Sequence, residues 1–307
     1  MPRPASLRPC ARRSRRLLSL CPVILLLLWA GLPMARAAQL LLTHPTYAAP
    51  PPPASLPVQE IRFDARDGVP LSGWLVRRGT HAPSVVLVAG FKSDRTGMLP
   101  YTRFLYAAGY NVLLYDARGT GQSGGSFSLG LREVDDARGA LTYLQSRRDL
   151  PVRRYGLLGV SLGAGVAIAA AARTPSVLAT VADSSYVNQR PVVERLNTLQ
   201  LGPLRLPLAP LAPWTVDRLL GAPLADFSPI RDAARIAPRA LLLIHSRHDQ
   251  DPTTPLSGAL ALYHAAGQTV SLWIAPRGGH AEAYDAQPDT YRQQVLTFLH
   301  RYLAASR

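Results

Sequence analysis

From residue 59 onward, apolar and polar positions follow two rhythms. QEIRFDA (59–65) and LSGWLVRR (71–78) are short strand-like runs joined by Arg66-Asp67-Gly68, which predicts an antiparallel hairpin. SVVLVAG (84–90) is an unbroken apolar run, the pattern of a strand buried on both faces. A helix is expected through Leu99 to Ala108, closed by Gly109, and then the strand YNVLLYD (110–116). Leu131, Val134, Ala137, Leu141 and Leu144 recur at helical spacing, opposite Arg132, Glu133, Asp136 and Arg147. RYGLLG (154–159) leads into an alanine-rich helix, followed by VLATVAD (177–183) and RALLLIH (239–245). A helix near 256–266, the strand TVSLWIA (269–275) and a last helix complete the pattern, the last carrying Tyr291, Val295, Phe298, Leu299 and Tyr302 on one face.

A hairpin followed by repeated strand–helix units predicts an α/β fold: roughly eight strands, mostly parallel, with helices on both faces. No repeat of 20–50 residues is visible. One stretch, 186–229, breaks the rhythm and is too long for a plain connection. Its leucines and prolines predict short helices forming a lid over the strand ends, covering something apolar.

The first 38 residues read as a targeting segment. The basic run RRSRR precedes LLSLCPVILLLLWAGLPMA, long for a signal-peptide core and short for a spanning helix, and Ala35-Arg36-Ala37 offers a cleavage site. Arginines on the N-terminal side keep that end cytoplasmic, so the chain beyond residue 40 is expected to be exported. Residues 1–38 are therefore expected to be a signal peptide or membrane anchor, and 39–58 a proline-rich, extended linker. Residues 59–307 are the expected folded domain.

Composition narrows the picture. Of 307 residues, 48% are apolar, enough for a substantial core. The net charge of +15 suggests nucleic acid at first sight. Seven arginines precede the first acidic residue, Glu60, and removing them leaves 27 basic against 19 acidic residues, scattered and not interleaved with aromatics. No nucleic-acid partner is expected. Both cysteines, Cys10 and Cys21, lie in the leader, so the folded part has no thiol nucleophile, disulfide or cysteine-based metal site.

The chemistry is concentrated in three loops. Gly159-Val160-Ser161-Leu162-Gly163 spells G-x-S-x-G between a strand and a helix, the context in which a serine projects from a tight turn as a nucleophile. The alternative for Ser161 is a small residue easing a helix against a sheet. A nucleophile needs a base and an acid, in the chain order serine, acid, histidine. The strand 239–245 ends in SRHDQDPTTP, offering Asp249, and the strand 269–275 ends in PRGGHAEAY, offering His280. Each falls just past the carboxyl end of a strand, where open α/β sheets place their sites. Asp251 is the second choice of acid and Asp183 the third. His44, His81, His245, His248, His264 and His300 are expected to be surface or packing residues. The amides of Leu162 and Phe91 are the expected oxyanion-hole donors, with the Phe91 ring as a possible pocket wall.

On these residues the chain resembles the α/β-hydrolase fold serine hydrolases over about residues 59–307, in particular the serine-aminopeptidase-like, BEM46-like bacterial subgroup. The likeness is carried by GFKS (90–93), DARGTGQSGG (116–125), GVSLG (159–163), FSPI (227–230), the IHSRHD loop and GGH (278–280). It implies that 116–125 buttresses the site and is not catalytic. Ala89 stands where the family usually has histidine, and Ser246 where it usually has glycine. The resulting expectation is a bacterial, extracytoplasmic serine esterase acting on small hydrophobic acyl esters, with no cofactor and no metal, attached to a membrane through its leader. Aminopeptidase-like amidase or thioesterase activity on the same residues is the alternative, and a non-catalytic surface interaction protein the third reading. An amine-gripping lid would need acidic residues, and only Glu194, Asp217 and Asp226 are available there.

Overall fold

The computed structural model describes residues 11–43 and 51–304, with residues 11–21 as backbone alone. In chain order the elements are α1 (Ala11–Leu42), β1 (Val58–Asp64), β2 (Pro70–Val76), β3 (Ser84–Val88), α2 (Leu99–Ala107), β4 (Asn111–Tyr115) and α3 (Glu133–Ser146). There follow β5 (Tyr155–Val160), α4 (Leu162–Ala172), β6 (Val177–Asp183), α5 (Arg190–Arg195), β7 (Thr198–Leu201), β8 (Leu204–Pro207) and α6 (Ala212–Leu220). The chain closes with α7 (Pro229–Ala233), β9 (Ala240–Ser246), α8 (Leu256–Ala266), β10 (Val270–Ala275), α9 (Ala283–Ala286) and α10 (Pro288–Leu303).

Eight strands form one sheet in the order β1-β2-β4-β3-β5-β6-β9-β10. β1–β2 and β2–β4 pair antiparallel, and every other neighbour is parallel. After β3 the chain winds to one side as β4 and to the other as β5. The order therefore reverses there, opening a crevice at the carboxyl ends of β3 and β5. The central strands β3, β4, β5 and β9 are buried along their whole length because helices cover both faces. One core layer holds α3, α4 and the base of the lid, and the other holds α2 and α10.

Helix α4 explains its own composition. Its alanines and glycines are buried from Leu162 to Ala171, so small side chains let it lie close to the sheet, and the alanines supply its helix propensity. A Cβ on Gly163 would be driven into the carbonyl oxygens of Val88 and Ala89 at the end of β3.

Two features differ from the sequence pattern. Glu133 and Asp136, on the polar face of α3, are buried. Glu133 accepts from the amides of Ser128 (2.6 Å) and Gly130 (2.8 Å), and Asp136 holds Arg118 at 2.6 Å. Burial is tolerated because each carboxylate is fully partnered. The lid is not wholly helical: β7 and β8 form a separate two-stranded sheet between α5 and α6. Its leucines alternate with Gln200 and Arg205 about Gly202-Pro203, a strand period that the surrounding leucines and prolines of the stretch obscure.

At the N-terminus, α1 continues to Leu42, past the expected boundary at 38 and through Ala35-Arg36-Ala37. Residues 1–10 of the leader and 44–50 of the linker, with His44, lie outside the described residues. The described end of the linker bends in a turn closed by the Leu56 amide on the Pro53 carbonyl (3.1 Å) rather than running straight.

Candidate active site

The site is built at the crevice where the strand order reverses. β5 ends at Val160, α4 begins at Leu162, and Ser161 alone makes the turn, with φ 56° and ψ −119°. A non-glycine residue in this region is strained and persists only where its surroundings hold it. They do: the Ser161 amide donates to the Asp183 carbonyl (2.8 Å), and Gly159 and Gly163 leave no room for side chains. The Oγ of this buried serine lies 2.8 Å from His280 Nε2.

His280 is delivered by the loop after β10. Gly278 adopts φ 95° there, and a side chain at that position would meet the Glu282 carbonyl oxygen at 2.8 Å. Its Nδ1 lies 2.9 Å from Oδ2 of Asp249, on the loop after β9. Burial works against the imidazolium, but the hydrogen bond to Asp249 and the charges of Asp249, Asp251 and Asp183 outweigh it, raising His280 above its ordinary value. Burial also raises the Asp249 carboxyl. Hydrogen bonds from His280, the Asp251 amide and Thr254 reverse this and leave it below the usual carboxylate range.

Thus Ser161, His280 and Asp249 come together from three loops. The other acid candidates are engaged elsewhere. Asp251 accepts from the amide (2.8 Å) and hydroxyl (2.6 Å) of Thr253 and from Arg195 Nη2 (2.8 Å). Asp183 is fully buried beneath the serine, accepts from Ser184 Oγ (2.9 Å), and is pushed up to about 6, first of all by burial. The amides of Phe91 and Leu162 donate no hydrogen bond among the described residues. Leu162 opens α4, whose first amides have no partner within the helix. Gly90, Phe91, Ser161 and Tyr101 line a cavity of about 270 Å³. Phe91 packs edge-on against Phe127 at 5.1 Å and stays 42% exposed at the rim.

Four neighbours carry no sequence signal of their own. Thr254 Oγ1 donates to Asp249 Oδ2 (3.1 Å) and lies 2.9 Å from His280 Nδ1. Ser184, at φ 57°, accepts the Ala281 amide (3.1 Å) and so fixes the backbone beside His280; the polar run DSSY at a strand end was the only hint. The Tyr186 ring stands edge-on to the imidazole at 6.4 Å. His245 is completely buried 3.6 Å from Asp249 Oδ2, and burial lowers it below its ordinary value despite that carboxylate.

Behind the site, the loop after β4 is knotted by buried ion pairs. Asp116 accepts from Arg95 Nη2 (2.6 Å) and the Gln122 amide (2.8 Å), and Arg118 forks between Asp136 (2.6 Å) and Asp67 (2.7 Å). A larger cavity, about 530 Å³, lies in the lid between Val193, Asn197, Pro213, Val216 and Phe227. Among the described residues no cluster of three or more His, Cys, Asp or Glu side chains is placed to hold a metal ion.

A sheet in this strand order, with a hydroxyl on a strained strand–helix turn, is the α/β-hydrolase fold. The family model described as serine aminopeptidase, S33, matches residues 79–230. The chain is 26% identical over 250 residues to the uncharacterized protein YfhR of Escherichia coli K12, covering 78% of this chain and 80% of that protein. It is 29% identical over 242 residues to the uncharacterized protein YqkD of Bacillus subtilis, covering 76% of each. Among solved structures, the Pyrococcus furiosus esterase Pf2001 superposes with a TM-score of 0.70 at 23% identity, covering 86% of this chain and 99% of that one. That likeness is one of fold.

Proposed function

We propose that the protein is a serine hydrolase that cleaves carboxylic esters through an acyl-enzyme. Ser161 Oγ attacks the ester carbonyl while His280 Nε2 takes its proton. His280 then returns the proton to the leaving alkoxide, and the Asp249 carboxylate stabilises the imidazolium in between. The amides of Phe91 and Leu162 receive the oxyanion of each tetrahedral intermediate. Water, deprotonated by the same imidazole, releases the acid and restores Ser161. No step calls on a metal or cofactor.

The single observation that carries this reading is the continuous run from Ser161 Oγ through His280 to Asp249, at 2.8 and 2.9 Å, on a strained turn. The apolar walls of the lid cavity, with Val193, Val216 and Leu224, favour a hydrophobic acyl group. Two of the three lid carboxylates are already partnered, which favours an ester over the substrate of an amine-gripping peptidase. Glu194 pairs with Arg190 (2.6 Å), and Asp217 accepts the Leu224 amide (2.8 Å). A substrate outside the cytoplasm fits the arginines that precede the apolar leader.

A fluorophosphonate probe tests the reading. The wild type should label and Ser161→Ala should not, while Asp251→Asn keeps labelling. An unlabelled wild type would leave a non-catalytic interaction protein. Faster turnover of an acyl nitroanilide than of the matching nitrophenyl ester would move the assignment to amide hydrolysis.

A further inference from the structure

The β7–β8 hairpin has an unusual face. The cross-strand pairs Leu199–Leu206 and Leu201–Leu204 alternate with Thr198–Pro207 and Gln200–Arg205, so all four leucines share one side. That side does not turn inward: Leu201 and Leu204 are each 54% exposed. Beside it, α6 buries Ala212, Val216 and Leu220 but turns Trp214 (58% exposed) and Leu219 outward. A two-stranded hairpin is marginal on its own in water, and large apolar side chains grouped on the exposed faces of neighbouring lid elements point to a contact surface.

Helix α1 says what covers it. Pro22–Leu42 is long and apolar enough to cross a membrane, alone in this among the described residues. The lid is fastened to it. The Ala209 amide donates to the Trp29 carbonyl (3.1 Å), and Arg36 Nη1 donates to the carbonyls of Leu196 (3.2 Å) and Thr198 (2.8 Å), the latter in β7. The lid thus flanks α1 between Trp29 and Arg36.

Length then decides the depth. A hydrocarbon core of about 30 Å takes roughly 20 helical residues at about 1.5 Å each. Counted from Leu17, the first residue after the basic run, the span ends near Arg36. The turns up to Trp29 cover only about 20 Å of it. The last third of the span is the part that the lid holds. If α1 crosses the bilayer, the hairpin and α6 cannot stay in water. The guanidinium of Arg36, at the outer end of that span, is met by lid carbonyls.

We infer that the leucine face of β7–β8, together with Trp214 and Leu219 of α6, docks into the outer leaflet of the phospholipid bilayer spanned by α1. The docking also sets the orientation of the site. Lys92 donates to the Thr43 carbonyl (2.8 Å) just past the end of α1, one residue from Phe91 at the rim of the catalytic cavity. The rim is therefore held beside the membrane surface. This inference does not depend on which bond the enzyme cleaves.

The test uses the full chain with Cys10 and Cys21 changed to serine, reconstituted into vesicles of phosphatidylethanolamine and phosphatidylglycerol. A nitroxide is placed on Leu204→Cys and, separately, on Asp289→Cys on the exposed face of α10. Collision with oxygen relative to a water-soluble nickel chelate should be severalfold higher at 204 than at 289, and Trp214→Cys should give a second buried reading. Equal, chelate-accessible probes at all three positions would overturn the inference. So would dipolar broadening at 204 that persists at about one chain per vesicle, which would assign the face to a second copy. A mature chain shown by mass spectrometry to begin after Ala37 would overturn it as well, since the span would be gone.

Discussion

At the level of single residues, His280 is held between two opposed influences. Burial favours the neutral ring, while Asp249 and the neighbouring carboxylates favour the charged one and prevail. In the proposed mechanism the imidazole acts as general base and must be neutral, so activity would require a pH above its raised value. The kcat/KM for a neutral nitrophenyl ester should therefore fall on the acid side with a midpoint above that of an ordinary histidine. Asp249→Asn removes the hydrogen bond that raises His280. The midpoint should then move to lower pH while the plateau drops, by about four orders of magnitude if the pair behaves like other triads. An unmoved midpoint would mean that Asp249 does not set the base. The same shifts have a stability side. Because His280 is raised, its contribution to folding is complete below the ordinary imidazole value and is lost as pH rises through the raised one. Because Asp249 is lowered, its contribution is complete above the usual carboxylate value and is lost as pH falls through the lowered one.

Among the elements, what was legible and what was not divides along a physical line. Strands buried on both faces read directly as apolar runs, so β3, β5, β6 and β9 appear in the sequence almost at their true bounds, and Ser161 and Asp249 fall just past the ends of β5 and β9. The polar face of α3 misled for the opposite reason. A buried carboxylate looks like a solvated one until its partner is known, and Arg118 lies 18 residues before Asp136. The hydroxyls of Thr254, on Asp249, and Ser184, on the Ala281 amide, could not be assigned from sequence because their contacts depend on loops meeting in space. The Arg118 fork allows a direct test of how much the loop after β4 relies on buried charge. Arg118→Met fills similar volume but strands Asp136, which is fully buried, without its cation. Guanidinium unfolding should show a loss of about 3–5 kcal/mol. A loss below about 1 kcal/mol would mean that the fork contributes geometry and little stability.

For the whole molecule, the loops at the strand ends bring Ser161, His280 and Asp249 together, and the lid encloses a separate, larger cavity. The sequence announced the lid by its length and its leucines but not the hairpin within it, whose apolar face points away from the protein core and so leaves no core-facing pattern to read. The lid cavity adjoins the first turn of α4 through Phe227, whose ring would meet a Cβ on Gly165 at 3.2 Å, four residues from Ser161. On the proposed reading a short acyl group would sit in the 270 Å³ cavity at Ser161, and a long one would extend past Phe227 toward the separate, larger space lined by α5 and α6. Glu194 lines that space, and its ion pair with Arg190 is solvent-exposed, so replacing it costs little stability. Glu194→Trp should obstruct the lid cavity while leaving the reacting loops untouched. Across a series of nitrophenyl esters, acetate should be hydrolysed at the wild-type rate, and the longest chains should lose about tenfold or more, roughly the effect of losing one or two buried methylenes. If all chain lengths slow equally, or none does, the lid cavity does not hold the acyl chain, and substrate selection must be sought at the Phe91 rim instead.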